Sequence, residues 1–257
     1  MAEDASPTPD SPADQNTIGV FLSVIFPVYN EATRLPSAMQ EIQDFLKKQS
    51  YPAEVLIVEN GSRDNTWELA RQYAGEYDNV RAIQVSPAGK GRAIRKGMLE
   101  ARGEYRFMCD VDFSMPANQI ARFLPPQIEN VDVVIGTRES AESDITGPES
   151  RKRSGRLFNL ITRALVLPKL RDTQCGFKCF RAQVAEEVFG RQSINGYAFD
   201  VEALCIARRR GFYIAEVPIT WVFDEDTRVN VLRDGLKMLG DLLRIRWRIW
   251  CGRYDGG

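Results

Sequence analysis

Apolar residues fall along this chain in short dense runs separated by longer stretches of mixed character. The runs VFLSVIFPVY (20–29), AEVLIVEN (53–60), VRAIQVS (80–86), YRFMCDVD (105–112) and VDVVIGTR (131–138) are rich in β-branched and aliphatic residues. Near-continuous runs of this kind suit parallel strands covered on both faces, where neither set of alternating side chains meets water. Between them, amphipathic segments over 31–49, 65–77, 90–102 and 116–129 predict helices. In the third of these, Ile94, Met98 and Ala101 recur at helical spacing and share one face. Strands alternating with helices predict an α/β sheet with right-handed crossovers, and ligands then gather at the carboxyl ends of the strands. Farther along, GFYIAEVPITWV (211–222) predicts a late strand or hairpin with Trp221 in the core.

The polar residues fall where that architecture wants them. PVYNE (27–31), ENGSRDNT (59–66), SPAGKG (86–91), DVDFS (110–114) and GTRES (136–140) each follow a predicted strand. Taken singly, any of them is a turn or a cap; NGSRDNT reads as a turn with Asp64 as an N-cap. Five polar strand ends in register make a site the better explanation of the set.

Composition narrows the chemistry. The 257 residues are 44% hydrophobic, enough for a substantial core, and carry 34 Lys+Arg against 35 Asp+Glu. With no net basic field, nucleic acid is not an expected partner, and any anion must meet a local patch. Histidine is absent, which excludes serine-histidine hydrolysis and most zinc chemistry. Five cysteines without a CxxC pair suit free thiols in a reducing cytosol. The opening MAEDASPTPDSPADQN lacks large apolar groups and reads as a disordered tail over 1–17. It has no signal-peptide pattern, and no run of about 18 uncharged apolar residues predicts a membrane span.

Asp110 and Asp112 are the sharpest candidates. Paired carboxylates at a strand end provide hard oxygen ligands for Mg²⁺ or Mn²⁺ bridging a diphosphate. The competing reading is structural, with Asp110 closing the strand and Asp112 capping a helix that begins near Pro116. No GxxxxGK[ST] occurs, and the GxG of AGKGRAI (88–94) follows the third strand and lacks the third glycine of a dinucleotide fingerprint. Lys90 and Gly91 at a helix start remain candidates for meeting an anion through free amides.

In this order and at these intervals, FPVYNE, VENGSRDNT, AGKGRAI, CDVDFS and GTR resemble the family 2 glycosyltransferases. RDTQCGFKCF (171–180) and GYAFDVEAL (196–204) are similar to the dolichyl-phosphate glucosyltransferases and their polyprenyl-phosphate relatives. The resemblance covers residues 20 to 250 and implies a GT-A fold, a Rossmann-like, mostly parallel central sheet flanked by helices. It implies a catalytic domain over 18–228 followed by an amphipathic C-terminal helix and tail over 229–257. By motif, Pro27, Tyr29, Glu31, Glu59 and Asn60 would line a nucleoside pocket with Lys90 nearby, and Asp110 and Asp112 would hold Mg²⁺ or Mn²⁺. Ser114 stands where mannosyl relatives carry a further glutamine ligand. Arg138, with Arg151 and Arg153 of the run RKRSGR (151–156), would receive the acceptor phosphate, and Arg228 would clamp the donor diphosphate. The run RKRSGR also reads as a solvated helix face.

The implied reaction moves glucose from UDP-glucose to a polyprenyl phosphate with inversion, Asp112 and Arg138 acting at the reacting centre. GDP-mannose is the alternative donor, and a non-catalytic sugar-nucleotide sensor the alternative class. A processive enzyme would carry a downstream QxxRW, which this chain lacks. A lipid acceptor implies a membrane surface as partner and a peripheral place on its cytoplasmic face. In VLRDGLKMLGDLLRIRWRIW (231–250), Leu232, Leu236, Leu239, Leu243, Trp247 and Trp250 form an apolar stripe, with Arg233, Lys237, Asp241, Arg244 and Arg248 opposing it. That pattern fits an interfacial helix, and equally one that closes the core or a homo-oligomer contact.

Overall fold

Residues 19–112, 114–146, 159–222 and 231–255 are described by the structure, a computed structural model. The expected tail over 1–17, the basic run with Arg151 and Arg153, and Arg228 lie outside the described residues. Strand β1 (Leu22–Val28) is apolar except at buried Ser23, and the two layers around it show why. Its Leu22, Val24, Phe26 and Val28 pack into the cluster on one face of the sheet, while Ile25 packs into the cluster on the other. Strand β2 (Ala53–Glu59) divides the same way, Val55 and Ile57 to one face, Leu56 and Val58 to the other. The two-residue repeat of a strand sends alternate side chains to opposite layers, and here both layers are protein.

Strands β3 (Val80–Gln84), β4 (Tyr105–Met108), β5 (Val133–Thr137), β7 (Lys178–Arg181) and β8 (Ile214–Pro218) complete a seven-stranded sheet of order β3-β2-β1-β4-β7-β5-β8. All neighbours are parallel except β7, which runs antiparallel between β4 and β5. Helices α1 (Leu35–Leu46) and α2 (Thr66–Glu76) cover one face. The opposite face is covered by α3 (Lys90–Glu100), α4 (Ala182–Arg191), α5 (Phe199–Arg209) and the C-terminal α6 (Val231–Trp250). Consecutive crossovers step outward from β1 to β3, then α3 carries the chain back past β1 to β4 on the other face. The reversal makes the carboxyl ends of β1 and β4 a topological switch point, where a crevice opens.

Several local expectations change. Helix α1 starts at Leu35 rather than near 31, because Glu31–Arg34 turn first and Pro36 then sets the first helical turn. The segment 116–129 forms a 3-10 helix over Ala117–Phe123, cut short by Pro125 and Pro126, since the residue before a proline avoids helical backbone. The late stretch is no hairpin: β8 pairs parallel with β5, while β9 (Thr220–Val222) pairs parallel with β6 (Asp144–Thr146) in a separate two-stranded sheet.

Helix α6 is apolar on more sides than its sequence stripe suggests. Met238, Leu242 and Ile245 are buried in the domain core, whereas the predicted stripe of Leu236, Leu239, Leu243, Trp247 and Trp250 is exposed. Leu232 and Arg233 lie where side chains are outside the described set. Among the described residues, no helix is long and apolar enough to cross a membrane.

Candidate functional site

At the switch point the chain after β1 is held by the loop after β2. Asn30 sits in the left-handed region (φ 53°), which asparagine tolerates better than most residues. Its backbone N–H donates to Ser62 Oγ at 2.9 Å, and its side-chain oxygen accepts from the Arg63 N–H at 2.7 Å. The Glu31 N–H donates to Thr66 Oγ1 at 2.7 Å and the Ala32 N–H to Asp64 Oδ2 at 3.2 Å. Asp64 is not the cap residue expected: Asn65 occupies the cap position of α2, and Asp64, one residue earlier, accepts from the Ala32 and Thr66 amides and stitches two loops together. This lattice fixes Tyr29 and Glu31 in the wall of a pocket of about 560 Å³.

Of the predicted site residues, Pro27, Tyr29, Glu31, Asn60, Lys90, Asp110, Asp112 and Arg138 all line that pocket, as does Ser114. Glu59 does not. It is 1% exposed behind the wall, where its carboxylate accepts from the Ser62 N–H and the Gln84 amide. Asn60 is also structural: its amide donates to the Val28 carbonyl at 2.8 Å and its oxygen accepts from the Gly89 N–H at 3.0 Å.

The GxG of AGKGRAI has a packing explanation. A Cβ on Gly89 would stand 2.7 Å from the Asn195 carbonyl oxygen, and one on Gly91 would stand 2.5 Å from that of Ile194. Both glycines let the start of α3 press against the segment 194–196. The Gly91 N–H is donated to the Asn195 carbonyl at 2.9 Å, so of the two amides expected to meet an anion, those of Lys90 and Gly91, that of Gly91 is already spent. What this helix start contributes is the Lys90 side chain, whose Nζ lies 2.7 Å from Asp110 Oδ1. Burial alone would lower the lysine, but the Asp110 carboxylate holds it well above its ordinary value.

Asp110 and Asp112 follow β4, whose ladder stops at Met108. Asp112 accepts the Ser114 N–H at 3.0 Å, a local turn; the 3-10 helix is entered through Pro116 without any side-chain cap, so the helix-capping reading of Asp112 fails. Partial desolvation, then the neighbouring Asp110 charge, push the Asp112 carboxyl above its usual range. Among the described residues no group of three or more His, Cys, Asp or Glu is placed to hold a metal ion. Two carboxylates opening on a pocket still suit a hard cation that completes its shell with substrate oxygens and water.

The loop TQCGFK closes the pocket floor. Gly176 lies so close to Asp110 that a Cβ there would stand 2.5 Å from Oδ2. Phe177 forms edge-to-face contacts with Phe107 and Phe123, at 4.6 and 5.2 Å between ring centroids, which fixes the loop to β4. Lys178, fully buried, ion-pairs with Asp200 at 2.6 Å and donates to the Cys175 carbonyl. Burial pushes the Cys175 thiol up to about 12, so this pocket-lining cysteine is protonated at neutral pH.

Arg138 is gripped from behind by Asp172, which accepts its backbone N–H at 3.1 Å, Nε at 2.7 Å and Nη2 at 3.0 Å. Burial would raise the Asp172 carboxyl, but the guanidinium overrides it and holds the group below the usual carboxylate range. The guanidinium also stands 5.7 Å from the centroid of Trp221, which is a half-buried pocket residue and not the core residue expected. Sequence reasoning gave no role to Trp221, Gln174, Gly176 or Tyr197, all in the pocket wall; the motifs DTQCGFK and GYAFD were the available signal for the last three. The chain entering Gly196 and Tyr197 is anchored by buried Glu202, which accepts from the Ser193 and Ile194 amides and from Arg248 and Tyr254 of the C-terminal segment.

Comparison with known proteins agrees with this arrangement. The model of Glycosyl transferase family 2 matches residues 23–189. A dolichyl-phosphate beta-glucosyltransferase of Dictyostelium discoideum is 32% identical, over 91% of this chain and 76% of that protein. The Homo sapiens dolichyl-phosphate beta-glucosyltransferase is 34% identical, over 95% of this chain and 79% of that protein. Among solved structures, Mycobacterium tuberculosis glucosyl-3-phosphoglycerate synthase in complex with Mn²⁺, UDP-glucose and phosphoglyceric acid superposes with a TM-score of 0.68 at 16% identity, covering 89% of this chain and 80% of that one. The shared fold is GT-A, and the family match, the relatives and the order of motifs around the switch point agree: this chain belongs to glycosyltransferase family 2.

Proposed function

We propose that the protein transfers glucose from UDP-glucose to a polyprenyl phosphate of dolichyl type, giving a β-linked lipid phosphate sugar. The observation that carries the reading is the convergence of Asp110, Asp112, Lys90 and Arg138 on one pocket at the switch point, in a chain whose relatives over most of its length are dolichyl-phosphate beta-glucosyltransferases. UDP-glucose as donor and a divalent ion are favoured by the fold neighbour solved with Mn²⁺ and UDP-glucose. Five free cysteines are consistent with a reducing, cytoplasmic side of the membrane.

In this reading Asp110 and Asp112 hold Mg²⁺ or Mn²⁺, which when bound supplies positive charge against the diphosphate of the donor. Tyr29, Glu31 and Asn60 form the nucleoside side of the pocket. The absence of histidine is chemically reasonable, because a lipid phosphate with a second pKa of about 6 is already anionic at neutral pH and needs no general base. Arg138, with two guanidinium nitrogens fixed by Asp172, turns its remaining edge to that phosphate. One acceptor oxygen attacks the anomeric carbon while the bond from that carbon to the diphosphate oxygen breaks. The electron pair leaves with the nucleoside diphosphate, and the centre inverts. The protein's contribution is alignment and fixed positive charge.

The test is incubation of purified protein with a polyprenyl phosphate, Mg²⁺ or Mn²⁺, and labelled UDP-glucose or GDP-mannose in parallel. Lipid-linked glucose from the first, abolished by Asp112→Ala and by chelation, is the expected result. Mannose transfer alone would replace the donor assignment, and nucleotide binding without product from any donor would favour a sensor.

A further inference from the structure

The C-terminal helix α6 presents two opposed apolar faces. At 3.6 residues per turn, Met238, Leu242, Ile245 and Ile249 share the side turned into the domain, and Leu236, Leu239, Leu243, Trp247 and Trp250 share the side turned away from it. The outer residues are strongly exposed, Leu236 at 72% and Trp250 at 83%. A single exposed leucine needs no explanation, but five large apolar residues along one ridge do. The ridge is flanked by exposed Lys237 and Arg244 on one side and Arg246 on the other, and Arg253 stacks over Trp247 at 5.1 Å. Among the residues of this segment whose side chains are described, the acidic groups are already engaged: Asp241 pairs with Arg244 at 3.3 Å and Asp255 with Arg209 at 3.3 Å.

We infer that this ridge is a docking surface for a bilayer carrying anionic headgroups, and that α6 lies in the interface with Leu236, Leu239, Leu243, Trp247 and Trp250 among the acyl chains. Three observations favour a lipid surface over a second copy or another protein. The basic flanks complement anionic headgroups and would repel the same flanks of a second copy. Both tryptophans fall at the end of the ridge, and tryptophan prefers the headgroup level of a membrane. The helix also touches the pocket rim, with Asp241 lying 3.7 Å from where a Cβ on Gly196 would stand. Asp241 is on the inner side of the helix, so a bilayer on the outer ridge lies about one helix diameter, 10 to 12 Å, from that rim. The inference rests on the lipid-acceptor reading only for its purpose; the docking itself is measured without acceptor or donor.

The experiment is sedimentation of the full chain with vesicles of phosphatidylcholine alone and of phosphatidylcholine with phosphatidylglycerol, together with tryptophan emission and sedimentation velocity. The wild type binds the anionic vesicles with a blue shift and binds the neutral ones weakly. Because binding scales with buried apolar area and anionic attraction, Leu243→Ser/Trp247→Ser and Arg244→Glu/Arg246→Glu each weaken it on the order of tenfold. The ridge is exposed, so the melting temperature of the first variant stays near wild type. Equal sedimentation of wild type and variants, or no binding to either vesicle, overturns the inference. So does a dimer in solution that the ridge variant dissolves, since a second copy would then cover the ridge. Loss of vesicle binding with glucose transfer to a short, water-soluble polyprenyl phosphate intact separates this inference from the functional one.

Discussion

Replacing Asp172 by asparagine asks how much the site depends on a residue that never meets substrate. The change keeps shape and removes charge. In the wild type three Arg138 donors converge on the two carboxylate oxygens, and the Gln174 N–H adds a fourth bond at 3.2 Å. Asparagine offers one acceptor and turns its NH₂ toward guanidinium N–H groups. The Asp172 side chain is 3% exposed and that of Arg138 32%, so the orphaned arginine regains some hydration, and the cost falls near the lower end for a broken buried pair, about 3 kcal/mol. For a chain of this size that loss lowers the melting temperature by about 6 to 12 °C. On the proposed function, transfer to polyprenyl phosphate falls further, on the order of a hundredfold, because an unclamped guanidinium would no longer meet the acceptor in place.

The pH dependence gives a second readout. The folded Asp172 carboxyl titrates below its unfolded value, so its stabilisation is fully present above the ordinary aspartate pKa of about 3.9 and fades as pH falls through the lower folded value. Thermal melts of wild type and Asp172→Asn should therefore keep a constant gap from pH 7 down to about pH 4 and begin to draw together below it. A variant that melts with the wild type at neutral pH and transfers glucose at the same rate would refute the clamp.

The pocket floor supports two further tests. Gly176→Ala places a methyl 2.5 Å from Asp110 Oδ2, so it should displace that carboxylate and cut transfer by about a hundredfold; a normal rate in steady-state assays would show the loop yields freely. Lys178→Met leaves Asp200 buried without its counter-charge and should cost about 3 to 5 kcal/mol in urea unfolding, with Lys178→Met/Asp200→Asn recovering part of it.

The parallel half of the sheet was legible because β1 and β2 are buried on both faces and therefore largely apolar, with Ser23, Glu54 and Glu59 as the polar exceptions. Strand β7 was not, since KCFR places a lysine in the middle of the molecule and its partner Asp200 lies in another element. The pocket wall was legible at strand ends. Glu59 misled because burial behind the wall and exposure within it select the same polar residue types. The GxG of Gly89 and Gly91, already short of a dinucleotide fingerprint, is there because a close backbone neighbour demands glycine whether it is a ligand or, as here, the segment 194–196. Trp221 was hidden because nothing local says that β9 leaves the main sheet to face Arg138. The second apolar face of α6, that of Met238, Leu242 and Ile245, was masked by the more regular outer stripe.

The Glu202 carboxylate, with no solvent exposure, gathers the Ser193 and Ile194 amides on one side and Arg248 and Tyr254 on the other. The segment after α6 is thus no loose appendage, for Tyr254 is wedged in the interior. Tyr254→Phe removes one donor from the carboxylate that also anchors the chain entering Gly196 and Tyr197, so an alteration distant in sequence is felt at the pocket wall.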